Sequence, residues 1–153
     1  LMAAFSTPHA VRYLPQFSFI PGFLKLRDIF NLYSLDIKTF VHHFPEFEER
    51  LGLQSGHLSG GQRRLIETYI ILKSDSNFVM LDEPFTHIMP LHVEKIKELI
   101  QDEKKYKGIL ISDHMFREVI PLCDKYYLLS AGKTHLISDM EQLETLQYIS
   151  VSK

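Results

Sequence analysis

The chain has 153 residues, 45% hydrophobic and 24% charged, enough for one domain with a real core but not comfortably for two. A formal net charge of -2 gives no basic footprint for nucleic acid or an anionic membrane, so no nucleic-acid partner is expected. A single cysteine, Cys123, excludes an internal disulfide and favours a reducing cytoplasm; no apolar run approaches the roughly 18 residues of a membrane span.

In chain order, Ala10 to Leu14 reads as a short strand, broken by Pro15 and then by Pro21-Gly22. From Leu24 to Leu53 the pattern is helical in short pieces, interrupted at Pro45 and Gly52. Ser59 is an N-cap candidate for a helix that runs to about Lys73. Asn77 to Leu81 is a short apolar run with the signature of a buried strand. An amphipathic helix follows in "LHVEKIKELIQDEKK", with Val93, Ile96, Leu99 and Ile100 as its buried stripe. Lys107 to Ser112 reads as a second buried strand, and a short helix starts near Met115. "KYYLLS" and "THLIS" read as two further strands joined at Ala131-Gly132. Strands alternating with helices after residue 74 predict an α/β fold with a largely parallel sheet, and the helical stretch from about 21 to 73 a separate lobe.

Four short stretches carry chemistry. In "HLSGGQRRL" two glycines sit at a helix start, where each costs roughly 1 kcal/mol relative to alanine. Ser59 supplies a hydroxyl, Gly60 and Gly61 remove side chains, and the helix N-terminus presents unpaired N–H groups, a combination suited to a terminal phosphate. A glycine-softened helix start with a serine cap is the purely structural alternative. In "FVMLDEP", two carboxylates follow a buried strand, at the end where open α/β sheets bind ligands. Asp82 can hold a hard cation such as Mg²⁺, and Glu83 can orient or deprotonate a water, although an acidic turn ended by Pro84 explains the pattern too. His114 in "SDH" ends the next strand the same way, and emerges beside these acids if the two strands are neighbours; a surface residue or helix cap is the alternative. Gln16 in "YLPQFS" offers an uncharged amide that can ligate Mg²⁺ or hold a water, although by itself it also reads as an ordinary loop glutamine.

In this order and at this spacing, the four stretches closely resemble the ATP-binding-cassette (ABC) ATPases, with intact "LSGGQ" as the signature motif. The resemblance spans nearly the whole chain. It implies a P-loop NTPase-type parallel sheet, here incomplete, with a helical subdomain. Residues 1–20 would then end the N-terminal core portion, 21–73 form the helical subdomain, and 74–153 form the C-terminal half of the ATPase core. It further implies Asp82 as the magnesium residue with Gln16 beside it, Glu83 as catalytic base, and Gln16 and His114 as the Q-loop and switch residues. Ser59, Gly60, Gly61 and Gln62 would contact the γ-phosphate of an ATP held mainly by a second ATPase subunit. The implied function is the ATP-hydrolysing component of an ABC transporter, at the inner face of the membrane, with the helical lobe docking on a transmembrane partner.

Two features depart from the family pattern. No G-x-x-x-x-G-K-[ST] phosphate loop occurs, which makes the C-terminal portion of a longer cassette the expectation, inactive by itself. Because the resemblance puts that loop after an interior strand, unpaired strand edges are expected as well, with either self-association or a refilling of the gap by the chain's own segments. Met89 stands where the family usually has an aspartate that couples two ATP sites, and methionine cannot accept its hydrogen bonds. Both departures would also suit a degenerate module that only pairs with an active cassette. A soluble ABC ATPase is the third reading; the absence of long coiled coils between Gln16 and Ser59 counts against its DNA-repair and chromosome-organising branch. His42-His43 has no ligand set nearby in sequence, and no metal site is expected there.

Overall fold

Three short apolar runs form a parallel sheet in the order β1 (Val11–Leu14), β2 (Phe78–Asp82) and β3 (Gly108–Ser112). The computed structural model describes residues 10–138, so the outermost parts of the divisions 1–20 and 74–153 lie outside the described residues. Leu14 pairs with Leu81 and Asp82 with Ser112, so the three strands end nearly flush. Since the strands are parallel, whatever follows each of them emerges on one side of the sheet. The second strand runs one residue further than its apolar pattern, which makes Asp82 its last residue. Val79 and Leu81 are buried, while Leu110 on the edge strand β3 is half exposed.

The chain divides into two units after Met115. In the first, the segment between β1 and β2 is helical, as its choppy pattern suggests: α1 (Leu26–Leu32), α2 (Ile37–His43), two 3-10 turns (Pro45–Arg50 and Ser55–His57) and α3 (Gly60–Lys73). Asp36 caps α2 by accepting from the Thr39 hydroxyl at 2.7 Å and from the Lys38 and Thr39 amides at 3.1 Å. Those hydrogen bonds, the Thr39 hydroxyl first, hold its carboxyl below the usual range.

Phe30, Phe40, Phe44, Phe47 and Tyr69 pack into one buried aromatic cluster. Phe40 sits at its centre, with ring centroids 4.8 Å from Phe30, 4.9 Å from Tyr69 and 5.2 Å from both Phe44 and Phe47. Tilted and edge-on pairs of this kind add to the gain from burial alone. Burial pushes the Tyr69 hydroxyl up to about 12.

Every residue of α3 from Arg64 to Leu72 is buried, so this helix is enclosed on all sides rather than amphipathic. Helix α4 (Pro90–Glu103) has Pro90 in its first turn and buries the expected stripe of Val93, Ile96, Leu99 and Ile100. His92 is buried as well, which the apolar pattern missed; its Nε2 lies 2.5 Å from Glu46 and its ring meets Phe44 edge-on. At the far end of α4, Glu103 accepts from Lys73 at 2.7 Å and pairs with Lys107 at 2.9 Å. Burial raises the Glu103 carboxyl, but the two lysines outweigh it and hold the group below the ordinary glutamate range.

The second unit holds α5 (Phe116–Val119), a 3-10 turn (Ile120–Leu122) and an antiparallel hairpin of β4 (Tyr126–Ser130) and β5 (Lys133–Ile137). Ala131 (φ 49°) and Gly132 (φ 74°) both adopt left-handed backbone, the requirement of a tight two-residue hairpin turn. Leu128 and Ile137 lie on its buried face with Ile120 and Tyr126, whereas Tyr127, Leu129 and Leu136 are exposed.

Candidate active site

The flush strand ends bring the expected residues together. Asp82 closes β2, and both its oxygens are engaged: Oδ1 accepts from Ser112 Oγ at 2.6 Å and Oδ2 from the Tyr13 hydroxyl at 3.1 Å. The hydrogen bond to Asp82, more than burial, raises the Tyr13 pKa. Glu83 follows with φ 49°, a left-handed conformation that costs a non-glycine residue about 1 kcal/mol. Its amide donates to Ser112 O at 2.7 Å, which ties the turn to the neighbouring strand.

The Glu83 carboxylate is contacted from three elements. Its Oε2 accepts from Gln16 Nε2 and from Thr86 Oγ1, each at 3.3 Å. Its Oε1 lies 3.4 Å from His114 Nδ1. Gln16, Glu83 and His114, from the ends of three strands, therefore share one carboxylate. Glu83 is partly exposed and the His114 side chain largely so, which leaves both open to a small polar molecule. Among the described residues no set of three His, Cys, Asp or Glu side chains gathers as a metal cage.

At the start of α3, Ser59 Oγ accepts from the Gln62 amide at 3.2 Å, and Gln62 Oε1 accepts from the Ser59 amide at 3.0 Å. This is a complete capping box. The cap explains why the helix begins here, and it uses Ser59 as an acceptor while its hydroxyl proton can still be donated outward. The glycines have separate reasons. A Cβ on Gly61 would collide with the carbonyl oxygen of His87, a residue in left-handed backbone (φ 62°), so Gly61 permits the segment after Glu83 to close on the helix. A Cβ on Gly60 would meet nothing within 4 Å. Ser59 and Gly60 are exposed, with Gly61 and Gln62 half-buried. The tip thus lies at the surface, within reach of another molecule.

A cleft of about 350 Å³ joins the two groups, with Gln16, Phe17, Gly60, Arg63, Glu83 and His87 among its walls. Arg64, 7% exposed, also lines it and binds only carbonyl oxygens: Pro15 O at 2.6 Å, Glu83 O at 3.1 and 3.2 Å, and Asp82 O. Burial lowers the Arg64 pKa, while the surrounding carboxylates, Glu67 foremost, oppose that shift. Asp113, its side chain fully buried, accepts from the amides of Met115 (2.8 Å) and Phe85 (3.4 Å). Sequence reading missed Tyr13, Arg64, Thr86, Ser112 and Asp113. Position alone offered a signal for Ser112 and Asp113, which immediately precede His114 at a strand end. Met89 is exposed and occupies the N-cap of α4 without a side-chain hydrogen bond to the helix.

No family model matches the chain. It is 40% identical over 106 residues to the lipopolysaccharide export system ATP-binding protein LptB of Escherichia coli K12, covering 69% of this chain and 42% of that protein. It is 39% identical over 87 residues to the protein of the same name in Haemophilus influenzae, covering 56% and 36% respectively. The chain therefore spans less than half the length of these curated relatives. A solved structure described as the ATP-binding subunit of an ABC transporter superposes with a TM-score of 0.72 at 22% identity, over 93% of this chain and 65% of that one. The relatives are thus ATP-binding proteins of ABC transporters, matched over part of their length, and the fold is that of an ABC ATP-binding subunit, present in part.

Proposed function

We propose that this chain, homologous over part of their length to the ATP-binding proteins of ABC transporters, is the catalytic and signature-bearing portion of an ATPase cassette. Two such cassettes would close on ATP and drive a transmembrane partner at the inner face of the membrane. The observation that carries this reading is the convergence of Gln16, Asp82, Glu83 and His114 at three parallel strand ends, beside an exposed Ser59–Gln62 tip. Among the described residues no helix is long and apolar enough to cross a membrane.

The donor set suits Mg²⁺. That ion is bound through one or two carboxylates together with substrate phosphates rather than by an all-protein cage. Asp82, oriented by Ser112 and Tyr13, and the Gln16 amide would hold it, and when bound it neutralises charge on the transferring phosphoryl group. Glu83 is held by Gln16, Thr86 and His114 in one orientation, so it can accept a hydrogen bond from a water and align it for in-line attack. His114 can donate to Glu83 or to a phosphate oxygen. The tip amides and the Ser59 hydroxyl would present donors to the γ-phosphate bound by the facing cassette.

A pairing module without catalysis is the second reading, favoured in the structure by exposed Met89, which stands where the family usually has an aspartate. Both readings are tested in a complete cassette that carries this segment. Glu83→Gln should lower ATP turnover by roughly a hundredfold or more while ATP-dependent pairing persists. Wild-type turnover in that variant removes Glu83 from the mechanism, and a wild-type cassette without turnover favours the pairing module.

A further inference from the structure

The loop that carries Gln16 is gripped at both shoulders by one face of α3. On one side, Arg64 Nη1 donates to Pro15 O at 2.6 Å. On the other, Glu67 Oε1 accepts from Ser18 Oγ at 2.5 Å, from the Phe19 amide at 3.2 Å and from the Ile20 amide at 3.3 Å. Arg64 and Glu67 are three residues apart on a helix, hence on one side of it. They are 7% and 1% exposed. Between the grips stand Gln16, which reaches Glu83, and Phe17, which is 81% exposed. The same helix begins, one turn before Arg64, at the Ser59–Gln62 tip.

A buried carboxylate is costly unless its oxygens are satisfied, and here one oxygen collects three donors from a single loop. A buried guanidinium that binds only carbonyls is equally demanding of position. Neither residue reaches the Glu83 carboxylate or the exposed tip. What they fix is the distance between the Gln16 loop and the helix that begins at that tip, and Arg64 also ties that helix to the Asp82 and Glu83 carbonyls.

We infer that Arg64 and Glu67 are positioning residues, a two-point clamp that makes the Gln16–Phe17 loop and the Ser59–Gln62 tip move as one body. Loss of the clamp thereby loosens the Gln16–Glu83 contact. The catalytic consequence rests on the proposed function; the clamp itself does not.

The clamp is tested in the 153-residue chain by amide hydrogen exchange. In Glu67→Ala, exchange at Phe19 and Ile20 should rise about tenfold or more, with the amides of Leu26 and Ser55, bonded to Leu53 O and Leu24 O, unchanged. Glu67→Gln retains a carbonyl acceptor and should restore most of the protection. Ser18→Ala alters only the exposed side of the grip and should raise exchange at Phe19 severalfold without touching the core, so the clamp stays testable if Glu67→Ala does not fold. Unchanged exchange at Phe19 and Ile20 in the variants that fold would overturn it. In the complete cassette, Glu67→Ala should lower kcat roughly ten- to a hundredfold with KM for ATP nearly constant, and Glu67→Gln should recover most of that loss. An unaltered kcat, or a rise in KM with kcat intact, would overturn the positioning role. A wild-type cassette without ATPase activity would instead overturn the proposed function, with the exchange result still deciding the clamp.

Discussion

The aromatic cluster of the helical segment and the carboxyl edge of the sheet are built on opposite terms. Phe30, Phe40, Phe44, Phe47 and Tyr69 are almost completely buried, with rings about one contact distance apart. At the sheet edge, by contrast, Glu83 is held in left-handed backbone, Arg64 is buried among carbonyls, and Gln16 and His114 stand largely in solvent. The first region gathers stability; the second spends it to hold polar groups at fixed spacing. Helix α3 belongs to both, since Tyr69 lies in the cluster while Arg64, Glu67 and the Ser59 tip serve the edge. A site on one sheet margin can be this strained because a single rigid helix ties it to a well-packed core.

The contrast is broken most severely at Phe40. Phe40→Ala removes the ring that touches all four partners and should cost about 3–5 kcal/mol, read by urea unfolding of the chain. A loss under about 1 kcal/mol would mean that the cluster is not the source of stability.

The two glycines sharpen the same contrast with a smaller effect. Gly61→Ala should cost about 1–3 kcal/mol, because the new methyl meets the His87 carbonyl. Gly60→Ala faces open space and should be neutral or stabilising by about 0.5 kcal/mol. Equal effects at both positions would place the close approach of His87 in doubt.

The smallest expected effect lies at the other end of α4. The Glu103 pKa is lower in the folded chain than in the unfolded one, so its pairing with Lys73 and Lys107 contributes fully above the ordinary glutamate range. That contribution fades as pH falls through the depressed folded value. Glu103→Gln should therefore be less stable near neutrality and lose less on acidification, measured as unfolding midpoints across pH. A variant that parallels the parent at every pH would contradict the pairing.

What the sequence made legible is local. Ser59 and Gln62 form a cap four residues wide, and the helix starts where that pattern places it. Apolar runs marked β2 and β3, and because these strands pair, His114 does emerge beside Asp82 and Glu83. The parts that stayed hidden depend on long-range partners. Arg64 reads as an ordinary basic residue in "QRRL", yet its hydrogen bonds reach residues 15, 82 and 83. Glu67 and Glu103 look like solvated helix charges until the loops that surround them are in place. Gly61 was legible as a position needing a close approach, but its visible neighbour is a carbonyl of this chain, leaving Gly60 as the open one.

In the proposed function the Ser59–Gln62 tip completes a phosphate site whose other half lies on a second cassette. Sedimentation of a complete Glu83→Gln cassette with MgATP, compared with the same protein carrying Gly60→Asp, tests it directly. The expected result is an ATP-dependent dimer in the first and a monomer in the second, since a carboxylate at the tip repels the facing γ-phosphate. A dimer of undiminished strength with the aspartate in place would contradict the claim.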